Sequence, residues 1–118
     1  ATRFVTTREC DASDAYKQAY LDAKKEDIVI VKSPVGMPGR AIKNAFMERC
    51  MNGNPPALGP CHLCIEKCDR TKIPYCISDA LVNAVKGNLD KALLFCGSNA
   101  YRCNKMETVK EVIQALFE

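Results

Sequence analysis

Apolar residues recur along the first third of the chain in two different periods. A helix is expected over residues 11–25, where Asp11 or Ser13 can cap the first free amides. Its apolar positions fall three or four residues apart: Ala15, Tyr16, Ala19, Tyr20 and Ala23. The β-branched run over 28–31 is typical of a buried strand, and the run over 2–6 also favours a strand.

Proline and glycine then interrupt the pattern. Residues 33–39 contain two prolines and two glycines and are predicted to form a loop. A helix is expected over 40–51, with Gly53 offering its C-terminal stop. Residues 54–75 again contain several prolines and glycines, so this part is expected to be irregular.

Two further helices are predicted towards the C-terminus. Ser78 can cap a helix that closes at Gly87. Residues 89–96 are compatible with either a buried strand or the end of a short helix. Asn104 and Glu107 have the spacing of a capping box. The helix that follows would present an apolar face made of Val109, Val112, Ile113 and Leu116. The element order indicates a mixed α/β fold.

Composition narrows the class of protein. A chain of 118 residues with 47% apolar and 26% charged residues suits one globular domain. Its 17 basic residues are interspersed with 14 acidic ones, a pattern that disfavours a nucleic-acid surface. No run approaches the ~18 apolar residues of a membrane span, and no secretion signal is evident. A cytoplasmic protein is therefore expected, without a membrane or nucleic-acid partner.

Eight cysteines are the unusual feature of the composition. Four of them follow the spacing C-x2-C-x3-C-x7-C: Cys61, Cys64, Cys68 and Cys76. Four thiolates this close in sequence can converge on zinc or an iron–sulfur cluster, and nearby basic residues would favour the thiolate form. Plain thiols and disulfides remain open alternatives. The lone histidine, His62, is expected to be a surface residue.

The loop over 33–40 offers a second place for chemistry. It lies between a predicted strand and a predicted helix, where α/β folds often bind ligands, and Arg40 could assist an anion there. A turn that merely shapes the connection is the favoured interpretation, because proline and glycine account for the segment without a ligand.

Five stretches of the chain, in order, resemble the C-terminal third of bacterial nitronate monooxygenases, the 2-nitropropane dioxygenase family. The longest and most specific is KSPVGMPGRAIKN at 32–44. The others lie at 2–5, 74–77, 86–90 and 97–102. The chain is more distantly similar to the flavin-dependent enoyl-acyl-carrier-protein reductases of the same superfamily.

The resemblance implies an α/β fold, the C-terminal segment of an FMN-binding (β/α)8 barrel with a lid or substrate domain. Residues 1–26 would form the last strand and helix of the barrel. Residues 27–118 would form a small α/β lid domain with a Cys-rich insertion over 54–76. The N-terminal remainder of the barrel would then be a partner of this segment, and a homo-oligomer is an open possibility.

The resemblance also implies an FMN-dependent oxidoreductase that oxidises alkyl nitronates with molecular oxygen. Ala1 and Thr2 would lie beside the FMN phosphate, with backbone amides and the Thr2 hydroxyl as donors, although the family commonly has glycine in place of Ala1. Gly97, Ser98 and Asn99 correspond to a turn near the substrate cavity, where the family often carries Gly-Gln. The family's catalytic histidine is expected before Ala1, so no residue of this chain is predicted to be catalytic.

Three other interpretations remain open. The four-cysteine loop could organise a small α/β module around a metal or an iron–sulfur cluster. The complete enzyme could instead resemble an FMN-dependent enoyl-acyl-carrier-protein reductase. A structural domain with free thiols is the least specific of these hypotheses.

Overall fold

Two strands and five helices organise the chain in the computed structural model, which describes residues 1–118. The strands are β1 (Ile28–Lys32) and β2 (Pro38–Ile42). The helices are α1 (Thr2–Val5), α2 (Asp14–Asp22), α3 (Ala45–Met51), α4 (Ile77–Lys86) and α5 (Val109–Leu116). Single 3-10 turns cover Lys25–Asp27, Leu89–Lys91 and Ala100–Arg102. The mixed α/β class is confirmed.

The two strands form an antiparallel hairpin in which Ile28 pairs with Ile42 and Lys32 with Pro38. The turn contains Gly36 at a φ of +88°, a conformation that favours glycine. The prediction that a helix starts at residue 40 is therefore wrong. Pairing with β1 extends the backbone through Ile42, and the helix α3 begins only where the Asn44 side chain accepts a hydrogen bond from the Met47 amide at 2.9 Å.

The last part of the ambiguous segment, up to Cys96, is extended and lies beside β2. The Ile42 amide donates to the Leu94 carbonyl at 2.9 Å, and the Cys96 amide donates to the Arg40 carbonyl at 3.0 Å. The Phe95 ring covers Gly39 so closely that a Cβ at position 39 would overlap it. Of the ambiguous segment 89–96, residues 89–91 form a 3-10 turn, and the extended part after it pairs with β2 through an isolated bridge at Phe95 without forming a strand of its own.

Consecutive residues of that segment join the two parts of the core. Leu93 belongs to one cluster with Val31, Ala41, Phe46, Met47, Tyr75 and Ala80. Leu94 belongs to a second cluster with Tyr20, Ala23, Ile42, Ala84 and Ala92. Neighbouring residues of extended chain point to opposite sides, which explains how one segment serves both clusters. The second cluster contains residues from both sides of the proposed boundary at residue 26, a division that stays a prediction.

The N-terminal segment departs from the predicted strand. Thr2–Val5 is a helical turn, and two threonine hydroxyls stabilise it by donating to carbonyls three residues earlier, Thr6 to Arg3 and Thr7 to Phe4. These local bonds outweigh the β preference of the run. Extended pairing appears one turn later, where Thr7 forms a parallel bridge with Glu107.

Some helix termini lie where the local sequence predicted them, and others do not. Ser13 caps α2 as predicted, accepting from the Tyr16 amide at 3.2 Å. The helix α4 ends at Gly87 as predicted, but its N-cap is Cys76 rather than Ser78. The capping box of α5 is Thr108 with Glu111, four residues after the predicted pair, because residue 107 is already committed to the bridge with residue 7. Of the predicted apolar face, only Val112 is buried.

Alanine at Gly87 should lower the free energy of unfolding by more than the about 1–2 kcal/mol that a left-handed conformation usually costs an L-residue, because the added methyl group also meets Ser13. The φ of Gly87 is +88°, and an added Cβ would lie 2.8 Å from the Ser13 Oγ. Gly53→Ala is the matched control, since Gly53 has a φ of +74° but no neighbouring atom within 4 Å. Denaturant midpoints measure both variants. Equal losses would show that the contact between α2 and α4 tolerates the methyl group.

The longest helix is α4, with 10 residues. Neither it nor any other helix is long and apolar enough to cross a membrane.

Candidate functional site

The N-terminal helical turn and the turn over 97–99 line one cavity of about 450 Å³. Ala1 and Thr2 lie on one side of it, and Gly97, Ser98 and Asn99 lie on the other. The family resemblance assigned the first set to the FMN phosphate and the second set to the substrate cavity. The fold brings the two sets together although they stand at opposite ends of the chain.

A single hydrogen bond joins the two sides of this cavity. The Gly97 amide donates to the Thr2 Oγ1 at 2.7 Å. Because the threonine oxygen accepts this bond, its own O–H remains free to donate to a third group. A Cβ at Gly97 would lie only 3.2 Å from the same oxygen, so glycine permits the close approach.

Tyr20 positions the chain that leads into the turn over 97–99. Its hydroxyl donates to the Phe95 carbonyl and lies 3.0 Å from the Tyr16 hydroxyl. Burial, followed by the hydrogen bond with Tyr16, raises the pKa of Tyr20 far above its usual value. The phenol therefore stays protonated and keeps its donor role. This contact links α2 to the segment that precedes Gly97.

The other side of the cavity depends on Glu107. Its backbone amide donates to the Thr6 carbonyl at 3.2 Å, and its carbonyl accepts from the Arg8 amide at 2.9 Å. Its carboxylate lies 3.7 Å from both the Arg3 Nε and the Lys105 Nζ. Glu107 therefore attaches the N-terminal segment to the C-terminal one and orients two of the cationic side chains that line the cavity.

The cavity has an excess of positive charge. Arg3, Arg102 and Lys105 line it, and Glu107 is the one carboxylate among its lining residues. The combination of these cations and the free Thr2 O–H is suited to an anion.

Sequence reasoning missed these cationic side chains. Arg102 falls inside the stretch 97–102 that carries the family resemblance, so a signal for it was present. The hydrogen bond from Arg102, followed by its charge and that of Lys25, lowers the pKa of the exposed Tyr101 hydroxyl. Lys105 gave no signal of its own, because only the bridge between residues 7 and 107 brings it to the cavity.

The comparison with protein families covers the whole chain. A model of the family described as nitronate monooxygenase matches residues 1–118. The chain belongs to the nitronate monooxygenase family. The resemblance carried by the five sequence stretches is thereby confirmed.

Solved structures show the same fold as this family member. FabK from Thermotoga maritima matches with a TM-score of 0.72 and 21% identity, over 99% of this chain and 34% of FabK. A point mutant of the same FabK matches with a TM-score of 0.69 and 20% identity, over 99% of this chain and 31% of the mutant. The chain thus spans about a third of the length of these structures. No curated protein matches it.

The most specific family stretch forms the hairpin and its turn. Within it, the Ser33 Oγ accepts from the Val35 amide at 3.3 Å. No helix begins directly after this turn, because β2 follows it, so the helix start on which the anion hypothesis for this loop rested is absent. The segment is the turn of the hairpin.

A larger and more apolar groove lies beside this turn. Its volume is about 880 Å³, and its walls come from the hairpin, from α3 and from the Cys-rich segment. Ile30, Val35 and Met51 expose large apolar surfaces there. The groove could accept an apolar chain, whereas the cavity at Thr2 is suited to an anion.

The four cysteines predicted as metal ligands are free thiols in this structure. Cys61, Cys64 and Cys68 are exposed, and Cys76 is half-buried at the start of α4. No three side chains of the ligand types stand close enough together to bind a metal ion. All four cysteines nevertheless line one small cavity of about 20 Å³. The fold makes them neighbours without forming a finished metal site.

His62 also lines this small cavity, but its ring is engaged elsewhere. Its Nε2 lies 2.6 Å from the Asp79 Oδ1, and both side chains are partly exposed. The prediction that His62 is a surface residue is confirmed.

Proposed function

We propose that the chain is the C-terminal part of an FMN-dependent nitronate monooxygenase, and that the cavity at Thr2 binds the FMN phosphate. The hydrogen bond between Thr2 and Gly97 carries this proposal. It supports one shared site, because it joins the segment that the resemblance assigns to the phosphate to the segment that it assigns to the substrate.

The residues present fit a phosphate group. The Thr2 hydroxyl supplies a donor, and Arg3, Arg102 and Lys105 supply positive charge. Hydrogen bonds to a charged group contribute about 1.5–3 kcal/mol each, more than neutral pairs. Gly97 leaves room beside the hydroxyl, so the donors can approach the anion closely.

Bound FMN would supply the electron transfer by which alkyl nitronates are oxidised with molecular oxygen. The residues of this chain would bind and orient the cofactor. Thr2 and the cations fix one end of the cofactor, while Ser98 and Asn99 present polar side chains to the same cavity. The catalytic proton transfers would belong to the N-terminal remainder of the barrel, which is the proposed partner of this segment.

Exposed apolar residues support the proposal that another part of the protein packs against this segment. On the helices, Val82 and Val85 of α4 and Leu116 of α5 are more than half exposed, as is Ile30 on β1. Apolar side chains on several elements mark surfaces that another part of the protein, or a second copy in a homo-oligomer, would cover. Free thiols at all eight cysteines support a reducing, cytoplasmic location.

A second candidate is an FMN-dependent enoyl-acyl-carrier-protein reductase. The observation that favours it is the apolar groove of about 880 Å³ between the hairpin and the Cys-rich segment. An acyl chain needs such a surface, whereas a short alkyl nitronate does not. The same phosphate site would serve both reactions.

Assays of the full-length protein distinguish the two candidates. A yellow protein that consumes oxygen only when an alkyl nitronate is added supports the monooxygenase. Oxidation of a reduced nicotinamide that depends on an enoyl thioester, without nitronate activity, supports the reductase. A protein that neither retains nor binds added FMN contradicts both.

A further inference from the structure

Four cysteines line one small space next to α4. Cys61, Cys64 and Cys68 come from the irregular segment, and Cys76 comes from the N-cap position of the helix. Their shared cavity has a volume of about 20 Å³. A water-sized sphere requires roughly 10–15 Å³, so the space between the four residues has room for one ion once the thiols turn towards it.

Two of these sulfurs already accept hydrogen bonds. The Leu63 amide donates to the Cys61 Sγ at 3.4 Å, and the Ser78 Oγ lies 2.9 Å from the Cys64 Sγ. Leu63 has a φ of +55° and is the one non-glycine residue with a positive φ. Hydrogen bonds to sulfur from outside the ligand set are typical of thiolates that bind metals, because they stabilise the negative charge and orient the ligand.

The segment that carries these cysteines has little structure of its own. Residues 52–76 contain no helix or strand. Between residues 55 and 76 the backbone hydrogen bonds within the segment are those of the Cys68, Lys72 and Ile73 amides. Irregular loops of this length are uncommon in compact domains unless they are functional or cross-linked. A bound ion would provide the missing cross-link to α4.

One cationic side chain, Arg70, lines the small cavity. The segment also carries Lys67 and Lys72, the latter 3.8 Å from the Asp69 carboxylate, and Glu66. Four thiolates around a divalent cation carry a net charge of about −2. Nearby cations offset such a charge, and the thiol protons are released to solvent when the ion binds.

We propose that Cys61, Cys64, Cys68 and Cys76 together bind a single structural Zn²⁺ ion. The three exposed thiols turn inwards on binding, towards the fourth at the start of α4. Tetrahedral all-thiolate coordination is a common arrangement for structural zinc, and such an ion contributes to folding rather than to chemistry. The proposal does not depend on FMN.

The site would stabilise one wall of the apolar groove. Cys68, Ile65 and Ile73 line both the small cavity and the groove of about 880 Å³. An ion that fixes their backbone would fix the shape of the groove. The four-cysteine segment then acts as a structural support for the substrate side of the protein.

Elemental analysis of the full-length protein tests the proposal. Protein purified with a thiol reductant and without chelator should contain about one zinc ion per chain. Cys64→Ser should lose it, while the matched variant Cys10→Ser, which changes a half-buried cysteine that lines neither the small cavity nor the cavity at Thr2, should retain it. Ser78→Ala removes the donor to Cys64 and should weaken zinc affinity about 10–100-fold in competition with a chromophoric chelator.

Several outcomes would overturn the proposal. One is wild-type protein that contains no zinc and takes up none under reducing conditions. Brown iron–sulfur absorption, or disulfides among residues 61–76 in peptide mapping, would replace the ion with another chemistry. Loss of zinc in His62→Ala would overturn the all-thiolate ligand set. FMN content is measured on the same samples, so failure of the flavin proposal is visible separately.

Discussion

Replacing Leu94 by alanine should lower the free energy of unfolding by about 2–5 kcal/mol, the usual range for a buried leucine. Leu94 is 1% exposed and packs with Tyr20, Ile42 and Ala84. The substitution removes three carbons from a site that the backbone cannot easily fill, because the Leu94 carbonyl is hydrogen-bonded to Ile42. Denaturant or thermal unfolding measures the loss.

Leu116→Ala is the matched control, since it makes the same chemical change on α5. Leu116 is 57% exposed in the 118-residue chain, and in that chain alone the substitution should change the stability by no more than about 0.5 kcal/mol. A similar loss from both substitutions in the isolated chain would contradict this contrast, whereas a larger loss from Leu116→Ala in the complete protein would agree with the proposal that α5 is covered there.

Local sequence signals predicted the elements whose ends are set by their own residues. The helix α2 begins at the Ser13 cap, and α4 ends at Gly87, where a left-handed residue is needed. The strand β1 follows from a run of β-branched residues. In each case the deciding contact lies within a few residues of the signal, so a single sequence contains it.

Long-range pairing explains which secondary-structure predictions from the sequence were wrong. Residues 40–42 have a helical pattern but pair with β1, and the run over 2–6 has a strand pattern but forms a helical turn. The true start of α5 is displaced because Glu107 pairs with the N-terminal segment. Such contacts join residues up to a hundred positions apart, and no local propensity encodes them.

The candidate cofactor site was predicted in part, and by resemblance rather than by pattern. The family stretches named Thr2 and Gly97, which the fold then places in contact. Composition and spacing could not indicate that the two segments meet, nor that Lys105 joins them. The four cysteines are the reverse case: their spacing alone predicted that they would be neighbours, and they share one cavity.

Thr2→Val should weaken FMN binding about 10–100-fold if the cavity at Thr2 binds the phosphate. Valine keeps the shape of the side chain but removes the hydroxyl that accepts from Gly97 and can donate to an anion. A hydrogen bond to a charged group contributes about 1.5–3 kcal/mol, which corresponds to this change in affinity. Titration of flavin fluorescence with the full-length apoprotein measures it.

Thr2→Ser is the matched variant for this experiment, because it keeps the hydroxyl and removes only the methyl group. We expect its FMN affinity to stay within about threefold of the wild type, a difference of less than 1 kcal/mol. Thr2→Ser should unfold at the wild-type midpoint, whereas Thr2→Val loses the bond from the Gly97 amide and should be less stable by about 0.5–1.5 kcal/mol. Tight FMN binding by Thr2→Val would place the phosphate elsewhere. The basic cavity between Thr2 and Gly97 would then require a different anion.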